Sequence, residues 1–227
     1  MTAKLLHTLV LAGLFVFPTQ SSACSLSLIL AIDVSSSVDS EEYRLQVDGT
    51  ASALEDPEVI AAIEEVGGIQ IMAFEWSGAY RHFDMVSWTS VDDAADIFAV
   101  SSGLRAHARV RNDLPTSMGS ALGYAATRFT KAPMQCARNV IDVSGDGVNN
   151  EGFGPIEAYE NFPFAGIQVN GLVITGADPD PEPFYRNEVR FGVGSFIEVA
   201  LGFENFQDAM KRKLLREIRG AALSMAH

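Results

Sequence analysis

Histidine is scarce in this chain, with four copies in 227 residues, and the scarcity closes most routes to acid–base catalysis. His7 sits in a leader-like stretch, His227 is terminal, and His82 and His107 belong to no triad-like pattern. The sequence also lacks a Gly-x-Ser-x-Gly elbow and a phosphate-cradling P-loop, the local signatures of an activated serine and of a nucleotide site. Positive charge is short as well: 16 Lys and Arg side chains face 29 Asp and Glu, a net charge of −13. Nucleic acid is therefore not expected as a partner, because phosphate binding needs a basic footprint. An acidic surface instead favours solubility and attracts cations. Apolar residues are plentiful, 48% of the chain against 20% charged, which is enough for one packed core and shows no bias toward disorder.

The first 23 residues stand apart. Lys4 gives a short basic region, Leu9 to Phe17 an apolar one, and Ser21-Ser22-Ala23 small residues at a cleavage site, the pattern of a secretory signal. The apolar run falls short of the ~20 residues that span a bilayer, and no later stretch is long and apolar enough to compete. The expectation is an exported protein, periplasmic or secreted, with no transmembrane segment after cleavage and one domain over residues 24–227.

Cysteine is limited to Cys24 and Cys136, and export permits a disulfide between them. Cys24 lies nine positions before Asp33, and Cys136 ten before Asp146. If both aspartates end neighbouring strands, the cysteines stand level at the opposite edge of the sheet, and strands ~4.8 Å apart allow the bond. Two alternatives stay open, a lipid on Cys24 as the first residue after cleavage and a pair of free thiols.

The most informative stretch runs from Leu28 to Ser37. A short apolar, β-prone run stops at Asp33 and is followed by hydroxyls at Ser35 and Ser37. Such a run reads as a parallel strand buried on both faces, and ligands of open α/β sheets bind beyond the carboxyl ends of these strands. Oxygen-only ligands suit Mg²⁺, Ca²⁺ or Mn²⁺ rather than zinc or copper.

Strand and helix patterns then alternate. Asp39-Ser40-Glu41-Glu42 is a capping box, followed by Tyr43, Val47, Ala51 and Leu54 at helical spacing. Pro57 and Gly67-Gly68 punctuate the chain before a strand at Ile69 to Phe74. A turn at Trp76 to Ala79 leads to a third strand, Tyr80 to Trp88, whose short connection makes it an antiparallel edge. Helices are expected over Val91 to Val100, from Pro115 through Phe129, and within Asn149 to Asn161. Strands are expected at Asn139 to Ser144, Ile167 to Ile174 and Ser195 to Ala200, with a last amphipathic helix over Phe203 to Ile218. Ser101 to Leu114, with Arg105, His107, Arg109 and Arg111, reads as a solvated basic loop or helix face. This rhythm predicts a three-layer α/β/α, doubly wound fold around a mostly parallel six-stranded sheet with one antiparallel edge strand.

Asp33-Val34-Ser35-Ser36-Ser37 resembles the Asp-x-Ser-x-Ser signature of von Willebrand factor type A (VWA) domains, a Rossmann-like superfamily. Thr116 matches the family's second-loop threonine, and Asp146-Gly147 the aspartate-glycine after its fourth strand, all in the family's order. The likeness spans about residues 26–220. The resemblance implies a metal-ion-dependent adhesion site, with Ser35 and Ser37 as direct ligands and Thr116 direct or through water. Asp33 and Asp146 would act largely through bound waters. The implied cofactor is Mg²⁺, with Ca²⁺ or Mn²⁺ as alternatives, and the implied partner is a protein presenting Asp or Glu. The chain is also similar to an uncharacterised bacterial branch in which Phe74-Glu75-Trp76-Ser77 and Ile141 to Asn150 are typical segments. Gly145 departs from the threonine that usually precedes the aspartate.

Weaker candidates are Glu75, Trp76 and Asn149 as rim residues, Asn149 and Asn150 as shapers of their own loop, and Asp178, Asp180 and Glu182 as an acidic loop able to hold Ca²⁺. The competing functions are a purely structural cation and a metal-dependent hydrolase. A phospho-accepting Asp33 of the haloacid-dehalogenase type is disfavoured, because Ser35 stands where that family places its second aspartate. The reading is therefore a binding module, not an enzyme.

Overall fold

The computed structural model describes residues 24–225, so the leader expected over residues 1–23 lies outside the described residues. Six strands form one sheet: β1 (Leu26–Asp33), β2 (Ile69–Trp76), β3 (His82–Val91), β4 (Arg138–Gly145), β5 (Ile167–Thr175) and β6 (Ile197–Leu201). Their spatial order is β3-β2-β1-β4-β5-β6. All neighbours are parallel except β2 and β3, the short-linked pair. The central strand β1 is buried along its whole length, which is why it reads as an unbroken apolar run.

Helices cover both faces. The period-two alternation of β1 sends Leu28, Leu30 and Ile32 into one core with α1 (Ser40–Leu54), α2 (Pro57–Glu65), α3 (Ala94–Ala106) and α7 (Phe206–Met225). Ile29 and Ala31 enter the other core with α4 (Met118–Arg128) and α5 (Pro155–Asn161). The short turn α6 (Glu182–Phe184) runs into a π-helical turn, Tyr185–Val189, that closes the second core beside β5.

Several boundaries differ from the sequence reading. Pro57 does not merely punctuate: it is the first residue of α2, where its missing N–H costs nothing, and Asp56 caps that helix by accepting from the Glu58 N–H. The helix α3 reaches Ala106, because Val100, Ser101 and Leu104 continue its buried stripe into the region read as basic loop. The third strand begins at His82, two residues later than expected, after a turn in which Tyr80 adopts a φ of 59°.

Cys24 and Cys136 are joined by a disulfide with Cα atoms 4.5 Å apart, at the amino ends of β1 and β4. The Cys24 sulfur is consumed by this bond, which removes the lipid-carrying alternative. The helix α7 docks on β4 through a fully buried ion cluster. Lys213 Nζ lies 2.6 Å from Asp142 and 2.7 Å from Glu217, and Asn170 of β5 donates to Glu217 at 2.8 Å. Among the described residues, no helix is long and apolar enough to cross a membrane.

Candidate metal centre

The strand order reverses between β1 and β4, and the crevice at their carboxyl ends is where open α/β sheets bind ligands. Asp33 is the last residue of β1, and Asp146 directly follows β4. The loop after Asp33 folds back on it, so that the Ser35 N–H donates to Asp33 Oδ1 at 2.8 Å. The capping box of α1, with Asp39 accepting from the Glu41 and Glu42 N–H groups, fixes the far end of the same loop.

The five residues singled out by sequence meet here. Ser37 Oγ donates to Asp146 Oδ1 at 2.8 Å, Ser35 and Ser37 hydroxyls are 3.2 Å apart, and Thr116 Oγ1 donates to Ser35 Oγ at 3.2 Å. Asp33, Ser35, Thr116 and Asp146 are buried, while Ser37 opens to solvent. Asp33 Oδ2 is enclosed with no hydrogen-bond partner. Burial, and after it the charge of Asp146, pushes the Asp33 carboxyl up to about 7. Burial raises Asp146 as well, against the opposing hydrogen bond from Ser37. Two desolvated carboxylates and three hydroxyls form an all-oxygen donor set with negative charge to neutralise. These residues fit a hard divalent cation. Among the described residues no three His, Cys, Asp or Glu side chains group as metal ligands, and this cluster reaches five donors only by counting hydroxyls.

Thr116 is held in place from a distance. Asn150 Oδ1 accepts from the Thr116 N–H and Asn149 Oδ1 from the Met118 N–H, both at 2.8 Å. Ser117, at the cap position of α4, makes no side-chain cap bond, so Asn149 supplies one from another loop. The two asparagines therefore brace the threonine loop, and Asn149 Nδ2 also donates to the Glu151 carbonyl of its own loop at 3.3 Å.

Glu75 and Trp76 do not rim the site. Trp76 is fully buried in the core shared with α4. Glu75 is enclosed because residues 107–110 fold over the end of β2: its Oε1 accepts from the Val110 N–H at 2.8 Å, and its Oε2 faces His107 Nε2 at 3.2 Å. The acidic loop does not converge: Asp180 accepts from the Glu182 N–H, and Glu182 pairs with Arg186 at 2.6 Å.

Sequence reading missed Arg109. Its Nη2 donates to the carbonyls of Val34, Ser35 and Val38, and its Nη1 to that of Asp39, at 2.8 to 3.2 Å. The guanidinium thus gathers four carbonyls of the serine loop. The signal was a basic cluster in an otherwise acidic chain, which composition alone could not distinguish from a solvated face.

The family model described as "Protein of unknown function (DUF1194)" matches residues 23–222. The chain belongs to that family. Comparison with solved structures finds VWA domains, and the fold of this chain is that of a VWA domain. Proximal thread matrix protein 1 of the mussel byssus matches with a TM-score of 0.63 at 15% identity, over 87% of this chain and 48% of that one. A von Willebrand factor type A structure from Catenulispora acidiphila matches with 0.62 at 14%, over 86% and 43%. BatB from Bacteroides thetaiotaomicron matches with 0.58 at 19%, over 87% and 99%. This chain thus spans less than half of the mussel and Catenulispora structures. The mussel protein is also known with a zinc-occupied adhesion motif. No match is found among curated proteins.

Proposed function

We propose that this DUF1194 protein is an exported, divalent-metal-dependent protein-binding module whose metal site accepts a carboxylate from a protein partner. The observation that carries the reading is the convergence of Asp33, Ser35, Ser37, Thr116 and Asp146 at the topological switch point, with one carboxylate oxygen of Asp33 buried and unpartnered.

Ser35, Ser37 and Thr116 would hold the cation through neutral hydroxyls, and Asp33 and Asp146 would neutralise it from behind. The cation is Mg²⁺ on the chemistry of the donors, with Ca²⁺ or Mn²⁺ as alternatives. When bound, it supplies an electrophilic point for an external anionic oxygen. Ser37, the solvent-facing member, marks where that oxygen arrives. Export is supported by the leader-like pattern of residues 1–23 and by the disulfide, which belongs to oxidising compartments. Binding rather than catalysis is favoured because, among the described residues, no histidine stands in this cluster and its carboxylates and hydroxyls all converge as oxygen donors for one cation.

The test is capture of partners from cell-envelope extract by the purified domain, in Mg²⁺ and in chelator. Expected is a protein retained only in Mg²⁺ and lost with folded Ser35→Ala; equal retention in all three arms refutes the reading. Mg²⁺-dependent melting without any Mg²⁺-dependent partner would instead assign the cation a purely structural role.

A further inference from the structure

Two glycines on neighbouring strands clear a path across the sheet for one side chain. Tyr185 opens the π-helical turn after β5, and its ring passes over Gly171 of β5, where a Cβ would sit 2.6 Å from the ring Cδ1. Its hydroxyl ends over Gly145 of β4, where a Cβ would sit 2.7 Å from Tyr185 Oη. The same point is 2.7 Å from Asp33 Oδ2. Both residues are fully buried, and neither Oη nor Oδ2 has a hydrogen-bond partner. Buried polar atoms are nearly always paired, so two orphans facing one point over a missing side chain need a reason.

We propose that Tyr185 is a positioning residue for the metal centre, its hydroxyl poised across the space that Gly145 leaves to hydrogen-bond Asp33 Oδ2 once a bound cation draws that carboxylate into place. This rests on the metal-binding reading above. Asp33 Oδ1 is already committed to the Ser35 N–H, so Oδ2 sets the remaining freedom of the carboxylate. The ring lies close against the Gly171 backbone, which holds it over β5. The glycine at position 145 is thereby explained: a side chain there would strike both partners, and the hydroxyl that a threonine would carry on β4 arrives instead from the turn after β5. Outer partners of this kind orient metal ligands and change affinity by roughly 10–100-fold when removed.

Tyr185→Phe keeps the ring and removes the hydroxyl. In calorimetric titration with Mn²⁺, the folded variant is expected to bind about ten-fold more weakly than wild type, while its melting temperature in chelator does not fall. Unchanged Mn²⁺ affinity overturns the proposal. A second measurement needs no Tyr185 variant: saturating the full-length protein with Mg²⁺ should perturb the ultraviolet absorption of a buried tyrosine, and Ser35→Ala should abolish the signal. A flat difference spectrum in a metal-binding wild type also overturns it. Wild type that binds no Mn²⁺, or binds it no better than Ser35→Ala, defeats the metal centre itself and this proposal with it. The two failures are therefore distinct.

Discussion

Arg109 Nη2 lies 2.8 Å from the carbonyl oxygen of Val34 and 2.8 Å from that of Val38, so one side chain closes the loop between β1 and α1. Charge-assisted hydrogen bonds are the stronger kind, and removing the donor strands several partly buried carbonyls at once. Arg109→Ala is expected to lower stability by roughly 2 to 4 kcal/mol in urea titration. Arg109→Lys should recover little, because a point charge cannot span a fork of acceptors.

Mg²⁺ should stabilise the native protein by mass action, about 2.7 kcal/mol at a hundred times its dissociation constant. Thermal melts with and without chelator will show the shift. Ser35→Ala is expected to melt near the wild type in chelator and to gain nothing from Mg²⁺.

The ion cluster under α7 gives a pH signature. Burial lifts the Asp142 carboxyl to about 7, with Lys213 pulling it down and Glu217 pushing it up, against 3.8 when solvated. Asn170, Arg138 and the Phe196 ring face the same cluster: Asn170 donates to the Glu217 carboxylate, and Arg138 donates to the Glu217 backbone carbonyl and adds a second positive charge on the Glu217 side. Between these two pH values the folded chain holds the extra proton, so the Asp142 contribution to stability falls as pH rises from 4 through 7. Wild type should therefore gain on Asp142→Asn as pH drops from 8 to 5, read from paired denaturation curves. Lys213→Met, which leaves two buried carboxylates without their cation, should cost roughly 3 to 5 kcal/mol or prevent folding.

Breaking the Cys24–Cys136 bond opens a loop of 112 residues. The double variant Cys24→Ser, Cys136→Ser should lose roughly 2 to 5 kcal/mol in denaturant titration, with the metal site intact. Loss of Mn²⁺ binding in a folded double variant would contradict the separation of the two ends of the sheet.

The sheet was legible because burial on both faces leaves unbroken apolar runs, as in Ile29 to Ile32, and because Asp39-Ser40-Glu41-Glu42 and the hydroxyl loop mark where helix and site begin. The disulfide was legible by counting back from two strand ends. Other features were not. Lys213, Asp142 and Glu217 look like ordinary polar residues of a surface helix and a strand, since their burial depends on the docking of α7. Glu75 passed for a rim carboxylate because nothing local shows that residues 107–110 cover it. Arg109 and Tyr185 reach the site across 75 and 152 positions of sequence, beyond any periodicity.

The clasp between Cys24 and Cys136 also has a mechanical consequence. The Ala137 N–H pairs with the Cys24 carbonyl beside it, so the start of β1 is riveted to the start of β4. A pull on the amino end of β1 would pass through the covalent link into the segment before β4, so that these two strands move together and the ladder between them is not sheared. The pole of the sheet opposite Asp33 and Asp146 is thus closed by a bond that force alone does not unzip.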